Sequence, residues 1–243
     1  MKAKLQLRKD MEGSLVDPKE YRRIIECLRY LTHTRPDISY VVDIASRYME
    51  KPATLHQQAV KDILRYVKGT MNYGIQLRRG REVEELVGFT DSDLAGDTDD
   101  RKNTRGMVFY LNGNLITWSS QKQRTIVLSS CEAEFMAATV ASCQRLWLRN
   151  LLSEVLGCEL RPVTLYVDNK SAIELMKNPV FHGRRKHIDI RFHFIRECVK
   201  NQQIVVEFVG TREQRADILT KALARVKFAE MREMLGVKYL EPN

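Results

Sequence analysis

The chain has 243 residues, with 40 Lys and Arg against 31 Asp and Glu, a formal net charge of +9, and 44% hydrophobic and 29% charged residues. That balance fits a globular chain able to bury a core, and the positive charge admits nucleic acid as a partner through counterion release. No apolar run approaches the roughly 20 residues of a membrane-spanning helix. The start Met1-Lys2-Ala3-Lys4 leads into polar sequence without a secretory apolar region, and the five scattered cysteines lack zinc-ligand spacing and read as reduced thiols of an intracellular protein.

The first 80 residues read as helices. Pro18 opens one over Pro18–Leu31 with Asp17 as its cap, and Ile24, Leu28 and Leu31 form its stripe. Thr34-Arg35-Pro36-Asp37 interrupts the chain and starts a second helix reaching about Met49. A third spans Thr54–Lys68, with Val60, Ile63, Leu64 and Val67 on its apolar face. From about residue 85 strands take over. Leu86–Asp91 reads as a buried strand ending in an acid. Met107–Leu111 and Leu115–Ser119 flank Asn112-Gly113, a hairpin signal because both residues tolerate positive φ. Ser130–Leu156 reads as a long helix with Phe135, Val140, Cys143, Trp147 and Leu151 toward a buried side. Val163–Asp168 is a strand again ending in an acid. Short helices over Ser171–Lys177 and Ile188–Lys200, a strand over Ile204–Val209, and a last helix from Thr211 to about Leu235 complete the order. Antiparallel strands followed by strand–helix alternation predict a mixed sheet flanked by helices.

Four acids hold particular places in that order. Asp91 and Asp168 each end a strand; parallel pairing of the two would bring both carboxylates to one sheet edge, where such folds place ligands. Glu134 lies in the first turns of the long helix, and Asp217 in the early turns of the last one. Such a cluster suits phosphodiester hydrolysis with hard divalent ions, which prefer oxygen ligands. Each acid alone has a plainer reading, as a turn residue or a favourable charge at a helix start. Ser129-x-x-Glu132 matches a capping box, which assigns Glu132 to the helix start. Asp93, Asp97, Asp99 and Asp100 read as solvated loop residues.

Longer stretches carry a resemblance. Thr90-Asp91-Ser92-Asp93-Leu94-Ala95-Gly96-Asp97, Arg101-Lys102-Asn103-Thr104-Arg105-Gly106, Trp118-Ser119-Ser120-Gln121-Lys122-Gln123 and Leu128-Ser129-Ser130-Cys131-Glu132-Ala133-Glu134-Phe135 stand in order. Asp168-Asn169-Lys170-Ser171-Ala172, Lys186 to Glu197, and Gln214-Arg215-Ala216-Asp217-Ile218-Leu219-Thr220-Lys221 follow. Together they resemble the RNase H domain of copia-type LTR retrotransposon Pol polyproteins. Thr34-Arg35-Pro36-Asp37-Ile38 and Ile63 to Thr70 resemble the segment that joins reverse transcriptase to RNase H in the same family.

The resemblance implies an α/β, RNase H-like fold: a mixed five-stranded sheet flanked by helices, preceded by an N-terminal helical segment. It implies a connection segment over 1–80 and an RNase H-like domain over 81–238. The implied activity is removal of the RNA strand of an RNA–DNA hybrid with two magnesium ions, manganese being the alternative ion. Asp91, Glu134, Asp168 and Asp217 are the implied catalytic and metal-binding acids. Glu134 is preferred to Glu132 because Glu134-Phe135-Met136-Ala137-Ala138 resembles the Glu-Leu-Met-Ala-Ala run of cellular RNases H. Implied partners are the hybrid and the polymerase region of a longer polyprotein, with no membrane, in a cytoplasmic particle or the nucleus. Ser92, Ser129, Ser130 and Asn169 are candidates for reading the 2′-hydroxyl. Arg105 and Lys122, with Arg101, Lys102, Arg124 and the run Arg184-Arg185-Lys186, are candidates for holding phosphates.

There are departures. Cellular RNases H carry a histidine in the loop before the last acid, and Gly210-Thr211-Arg212-Glu213 has none. Tyr166-Val167-Asp168-Asn169 lacks the second acid of a polymerase motif, so no polymerase activity is expected of this chain alone. The competing readings are an inactive retrotransposon remnant that binds hybrid, and an integrase or transposase, which would usually bring a zinc-binding His/Cys module.

Overall fold

Helix α1 (Pro18–Leu31) starts as its sequence dictates: Pro18 fills the first turn, where a missing N–H is no loss, and the Asp17 carboxylate accepts the Lys19 N–H at 2.9 Å. The structure, a computed structural model, describes residues 7–9, 13–79, 85–94, 96–157, 161–177 and 186–241. After α1, Pro36–Ile38 forms a 3-10 turn, and α2 (Ser39–Ser46) is shorter than the sequence predicts. At its start the buried Arg35 guanidinium grips both Asp37 oxygens, at 2.9 and 2.8 Å, and the Tyr66 hydroxyl donates to the same carboxylate at 2.6 Å. At its end the Ser46 hydroxyl takes the Asp43 carbonyl, a local bond that competes with the helix ladder. Helix α3 (Thr54–Gly69) buries Val60 and Ile63 against Tyr21, Ile25, Leu28, Val42 and Ala45. Leu64, expected on that face, is 42% exposed because the stripe runs through Ala59, Val60 and Ile63.

The five-stranded sheet has the order β4-β3-β2-β5-β6, from β2 (Leu86–Ser92), β3 (Thr104–Leu111), β4 (Asn114–Lys122), β5 (Val163–Val167) and β6 (Ile204–Phe208). β2, β3 and β4 run antiparallel, whereas β2–β5 and β5–β6 are parallel. The β3–β4 turn uses Asn112 and Gly113 with φ of 50° and 76°, the positive pair that a tight hairpin requires. Helices α4 (Ser130–Leu156), α5 (Lys170–Lys177) and α6 (Lys186–Lys200) cover one face, burying Phe135, Ala138, Ala141, Ile173, Met176 and Ile195 on Phe109, Leu165, Val167 and Val206. The mixed sheet with flanking helices and helices before it is the RNase H-like arrangement that the resemblance implies.

Two sequence expectations for the helices need correction. Along α4 the buried stripe runs through Ala133, Ala137, Ala141 and Leu148, not through Cys143, Trp147 and Leu151, which are exposed. Residues 143, 147 and 151 recur at i, i+4 and i+8 on the side of the helix turned away from the buried Ala141, Arg145 and Leu148. The helix expected from Thr211 is absent too. That segment is a loop with a 3-10 turn at Asp217–Leu219, and only α7 (Arg225–Met234) is helical. Sheet groups take up the loop's polar contacts: the buried Gln214 amide donates to the Thr90 carbonyl at 2.9 Å, and the Ser120 hydroxyl to the Leu219 carbonyl at 2.6 Å. Strands β1 (Tyr73–Ile75) and β7 (Val237–Tyr239) pair antiparallel, and neither was foreseen; three residues are too few to show alternation.

The N-terminal helices are fastened to the sheet. The Trp118 indole N–H donates to the Thr32 carbonyl at 3.0 Å, and Arg47 on α2 pairs with Asp97 at 2.9 Å. Asp97, expected to be solvated, is instead buried; it also holds Lys122 at 2.6 Å and accepts the Asp99 N–H at 2.9 Å. Burial alone would raise its pKa, but Lys122, the Asp99 amide and Arg47 outweigh that and hold it well below the usual range. The run Arg184-Arg185, the cysteine at 158 and the expected boundary at residue 80 lie outside the described residues; Cys27, Cys131, Cys143 and Cys198 are free thiols.

Gly106 sets how closely the Ala216–Thr220 turn lies on the sheet. A Cβ there would stand 2.8 Å from Leu219 Cβ, 2.8 Å from Thr220 Cγ2 and 3.0 Å from the Ala216 carbonyl oxygen. None of these is the far end of a flexible chain, so the turn itself would have to rise. Gly106→Ala is expected to cost about 1–3 kcal/mol in urea unfolding; an unchanged midpoint would show that the turn is not seated this way.

Candidate active site

The parallel register of β2 and β5 ends with Phe89 opposite Tyr166, and Asp91 and Asp168 each stand two residues further on. Both carboxylates therefore leave the same edge, as the sequence reading required. Glu134, in the second turn of α4, reaches the same point from the helix. Asp91, Glu134 and Asp168 each offer an oxygen, and these atoms lie within 4.8 Å of one another. Asp91 and Glu134 are buried and Asp168 is half-buried.

Helix α4 is anchored for this task. Ser129 caps it, its hydroxyl accepting the Glu132 N–H at 3.1 Å, and the Glu132 carboxylate reaches back to the Leu128 N–H at 2.7 Å. Glu132 is thus the capping acid, as its spacing predicted. One turn in, Glu134 Oε1 accepts the backbone N–H of Ser92 at 2.9 Å, while its Oε2 is buried without a hydrogen-bond partner. Gln123 links the two elements, its side-chain amide donating to the Ser92 hydroxyl at 3.1 Å and the Ala133 carbonyl at 3.2 Å.

Asp217 arrives on the 3-10 turn above Gly106, which is the register partner of Asp91. It is buried but stands outside the three-carboxylate group, and its neighbour is Lys221, whose ammonium lies 2.8 Å from Asp217 Oδ1 and 3.8 Å from Asp91 Oδ2. The Thr220 hydroxyl donates to Asp91 Oδ2. Asp93 is half-buried rather than solvated, and its carboxylate accepts the Thr104 N–H.

Burial and mutual repulsion set the electrostatics. Burial first, then the charges of Asp91 and Asp168, push the Glu134 pKa far above the carboxylate range. Burial and Asp91 raise Asp217 and Asp168, and burial raises Asp93 to about 6. For Lys221, burial works against the charged form, but Asp91 and Asp217 outweigh it and raise the pKa. A buried carboxylate oxygen with no partner, facing two other carboxylates, matches the demand of a hard divalent cation for oxygen ligands.

The remaining sequence candidates sit around this centre. The Asn169 carbonyl caps α5 by accepting the Ala172 N–H at 3.0 Å. Ser129 is committed to its helix cap and Ser130 is exposed. Arg105, opposite Ser92 in the sheet register, donates to Gln121 at 2.7 Å. Burial, then the charges of Arg191 and Arg124, hold its pKa below the usual value. Lys122 is engaged by Asp97 and Asp100, at 2.6 and 2.8 Å. Gln123, Gln214, Thr220 and Lys221 were not singled out from sequence, although each sits inside a recognised motif. Polar residues destined for burial beside an acid were the available signal.

No family model matches the chain. Curated sequences do. The Retrovirus-related Pol polyprotein from transposon RE1 of Arabidopsis thaliana is 46% identical over 230 residues, which is 94% of this chain and 16% of that protein. The corresponding polyprotein from transposon TNT 1-94 of Nicotiana tabacum is 40% identical over 240 residues, 96% of this chain and 18% of that protein. The chain thus spans less than a fifth of the length of these relatives. Among solved structures, LC11-RNase H1 in complex with an RNA/DNA hybrid is similar over 56% of this chain and 94% of that one, with 16% identity and a TM-score of 0.42.

The pKa shifts have a signed consequence for the metal-free protein. Acids whose folded pKa is raised cost nothing below their ordinary pKa and their full penalty above the folded one. With chelator present, the melting temperature is expected to fall as pH rises from about 5 to about 8. Glu134→Gln keeps the acceptor for Ser92 and removes the carboxyl that must take up a proton on folding, so it is expected to raise the melting temperature at the upper pH by on the order of 5 °C. A variant that melts lower than wild type there would contradict the repulsion.

Proposed function

This chain belongs to the retrovirus-related Pol polyproteins of copia-type transposons, and from that premise we propose that it is their ribonuclease H, cutting the RNA strand of an RNA–DNA hybrid. The observation that carries the reading is the meeting of Asp91, Glu134 and Asp168, contributed by two strands and a helix far apart in sequence, with a partnerless Glu134 oxygen among them. Residues 81–238 form the RNase H-like domain and residues 1–80 the connection from the polymerase region of the longer polyprotein. The separate core of α1, α2 and α3 supports that division.

In this reading Asp91, Glu134 and Asp168 hold divalent ions with Asp217 beside them. When bound, two magnesium ions supply the positive charge that activates the attacking water and stabilises the departing oxygen. The chain's own groups position the rest. The Ser92 N–H and the Gln123 amide fix Glu134 and its helix against the strand end. Gln214 and Thr220 hold the last loop down so that Asp217 faces Asp91. Arg105, opposite Ser92 in the sheet register and hydrogen-bonded to the neutral Gln121, offers the hybrid backbone a phosphate contact beside the acids. Asn169 uses its carbonyl in capping, which leaves its amide N–H groups to meet a 2′-hydroxyl.

Purified full chain with magnesium and an end-labelled hybrid tests this directly. Asp168→Asn is expected to lower cleavage at least about 100-fold without lowering the melting temperature, since it relieves repulsion. Equal loss of stability and cleavage would make Asp168 structural. Binding without cleavage, unaltered by Asp91→Asn, would favour an inactive remnant instead. Arg105→Ala is expected to weaken hybrid binding and reduce the slope of log affinity against log salt by about one; an unchanged slope would remove Arg105 from the phosphate contacts.

A further inference from the structure

The acid centre has two unlike halves. On one side Asp91, Glu134 and Asp168 converge, and Glu134 Oε2, on a residue only 4% exposed, has no partner. On the other side Asp217 is withheld from that group; its Oδ1 is likewise buried without a hydrogen bond of good geometry, but a cation of the protein's own lies beside it, Lys221 Nζ being 2.8 Å from Asp217 Oδ1 and 3.8 Å from Asp91 Oδ2. The placement is enforced. Lys221 stands two residues past the 3-10 turn, its backbone N–H donating to the Asp217 carbonyl at 3.2 Å, and the turn is seated on Gly106. The side chain is 39% exposed, so the ammonium can turn out to solvent.

We infer that Lys221 is a resident counter-cation of the Asp91–Asp217 half, so that divalent ions load in two unequal steps, the second in competition with the Lys221 ammonium. The inference rests on the metal-dependent reading above and adds an order of loading to it. Charge balance points the same way. The four carboxylates and Lys221 carry three net negative charges when all are ionised. A first divalent ion leaves one negative charge, and it enters the half whose oxygens lack a cation. A second reverses the sign unless Lys221 withdraws. Asp91, shared by both halves, couples the steps. Lys221 thereby acts as a positioning residue: it keeps the last acid and its loop in place until the second ion arrives.

Calorimetric titration of the full chain with Mn2+, without nucleic acid, tests this apart from catalysis. Wild type is expected to take one ion tightly and a second more weakly. Lys221→Met is expected to tighten the second step on the order of tenfold and leave the first within about threefold, whereas Lys221→Arg, which keeps the charge, retains the weak second step. Asp217→Asn should abolish the second step and spare the first. An unaltered second step in Lys221→Met, or a first step that shifts as much, would overturn the inference while leaving the metal reading intact. Wild type that binds no Mn2+, or binds it no better than Asp168→Asn, would overturn both. Circular dichroism of each variant guards against loss of fold.

Discussion

Carboxylates buried within 4.8 Å of one another cannot all stay ionised without a cation, and the rest of this molecule is arranged around that constraint. Each acid is delivered by a different device: a central strand for Asp91, its parallel neighbour for Asp168, a capped helix for Glu134 and a 3-10 turn for Asp217. Left free, such groups would move apart or take up protons. The hydrophobic clusters on both sheet faces, which include Phe135, Leu165 and Val167 on one and Val108, Ile218 and Leu219 on the other, supply the opposing force. Repulsion held this way is a cost to the fold, and it raises the pKa of Glu134, Asp168 and Asp217.

The loop carrying Asp217 shows how little regular structure the arrangement needs. Gln214 spends its amide on the Thr90 carbonyl and its carbonyl on the Ala216 N–H at 3.2 Å, so one buried side chain fixes both the loop and the strand that ends in Asp91. Arg215 lies over the rings of Phe89 and Tyr110, 4.9 and 4.6 Å from their centroids, and closes the loop from outside. With Gly106 opposite Asp91, the turn comes near enough for Thr220 to donate to the Asp91 carboxylate.

How much of this was legible follows from the range of each interaction. Local signals read true: Asp17 before Pro18, the Ser129–Glu132 cap, the Asn112-Gly113 turn, and strand ends at Asp91 and Asp168. The failures were elements whose contacts are distant. The segment after Thr211 has helical composition, yet its polar groups are taken up by Thr90 and Ser120, roughly a hundred residues away in sequence. The face of α4 was misjudged because Trp147 and Leu151 make an apolar row, while the row that is buried carries Arg145 between Ala141 and Leu148. The three-residue strands β1 and β7 have no pattern of their own and exist through each other, with Tyr73 and Tyr239 in edge contact at 5.7 Å. Among the acids, Asp91, Glu134 and Asp168 come together, whereas the separation of Asp217 by Lys221 is a matter of side-chain reach that spacing alone does not encode.

The same argument from reach separates the cations that serve the fold from those left for a ligand. Lys122 belongs to a partly buried network with Asp97, Asp100 and Arg47, and Arg47 is the residue that ends α2, so the N-terminal helices complete the charge balance of a loop beside the centre. Removing either cation would leave Asp97 buried and underpaired, which is costlier than losing a surface ion pair. Arg105 is the reverse case: it lies opposite Ser92 in the sheet register, and its hydrogen-bonded acceptor is the neutral Gln121. Asp97 is thus neutralised from three sides by groups of the fold itself, whereas Arg105 has a single neutral acceptor among the described residues.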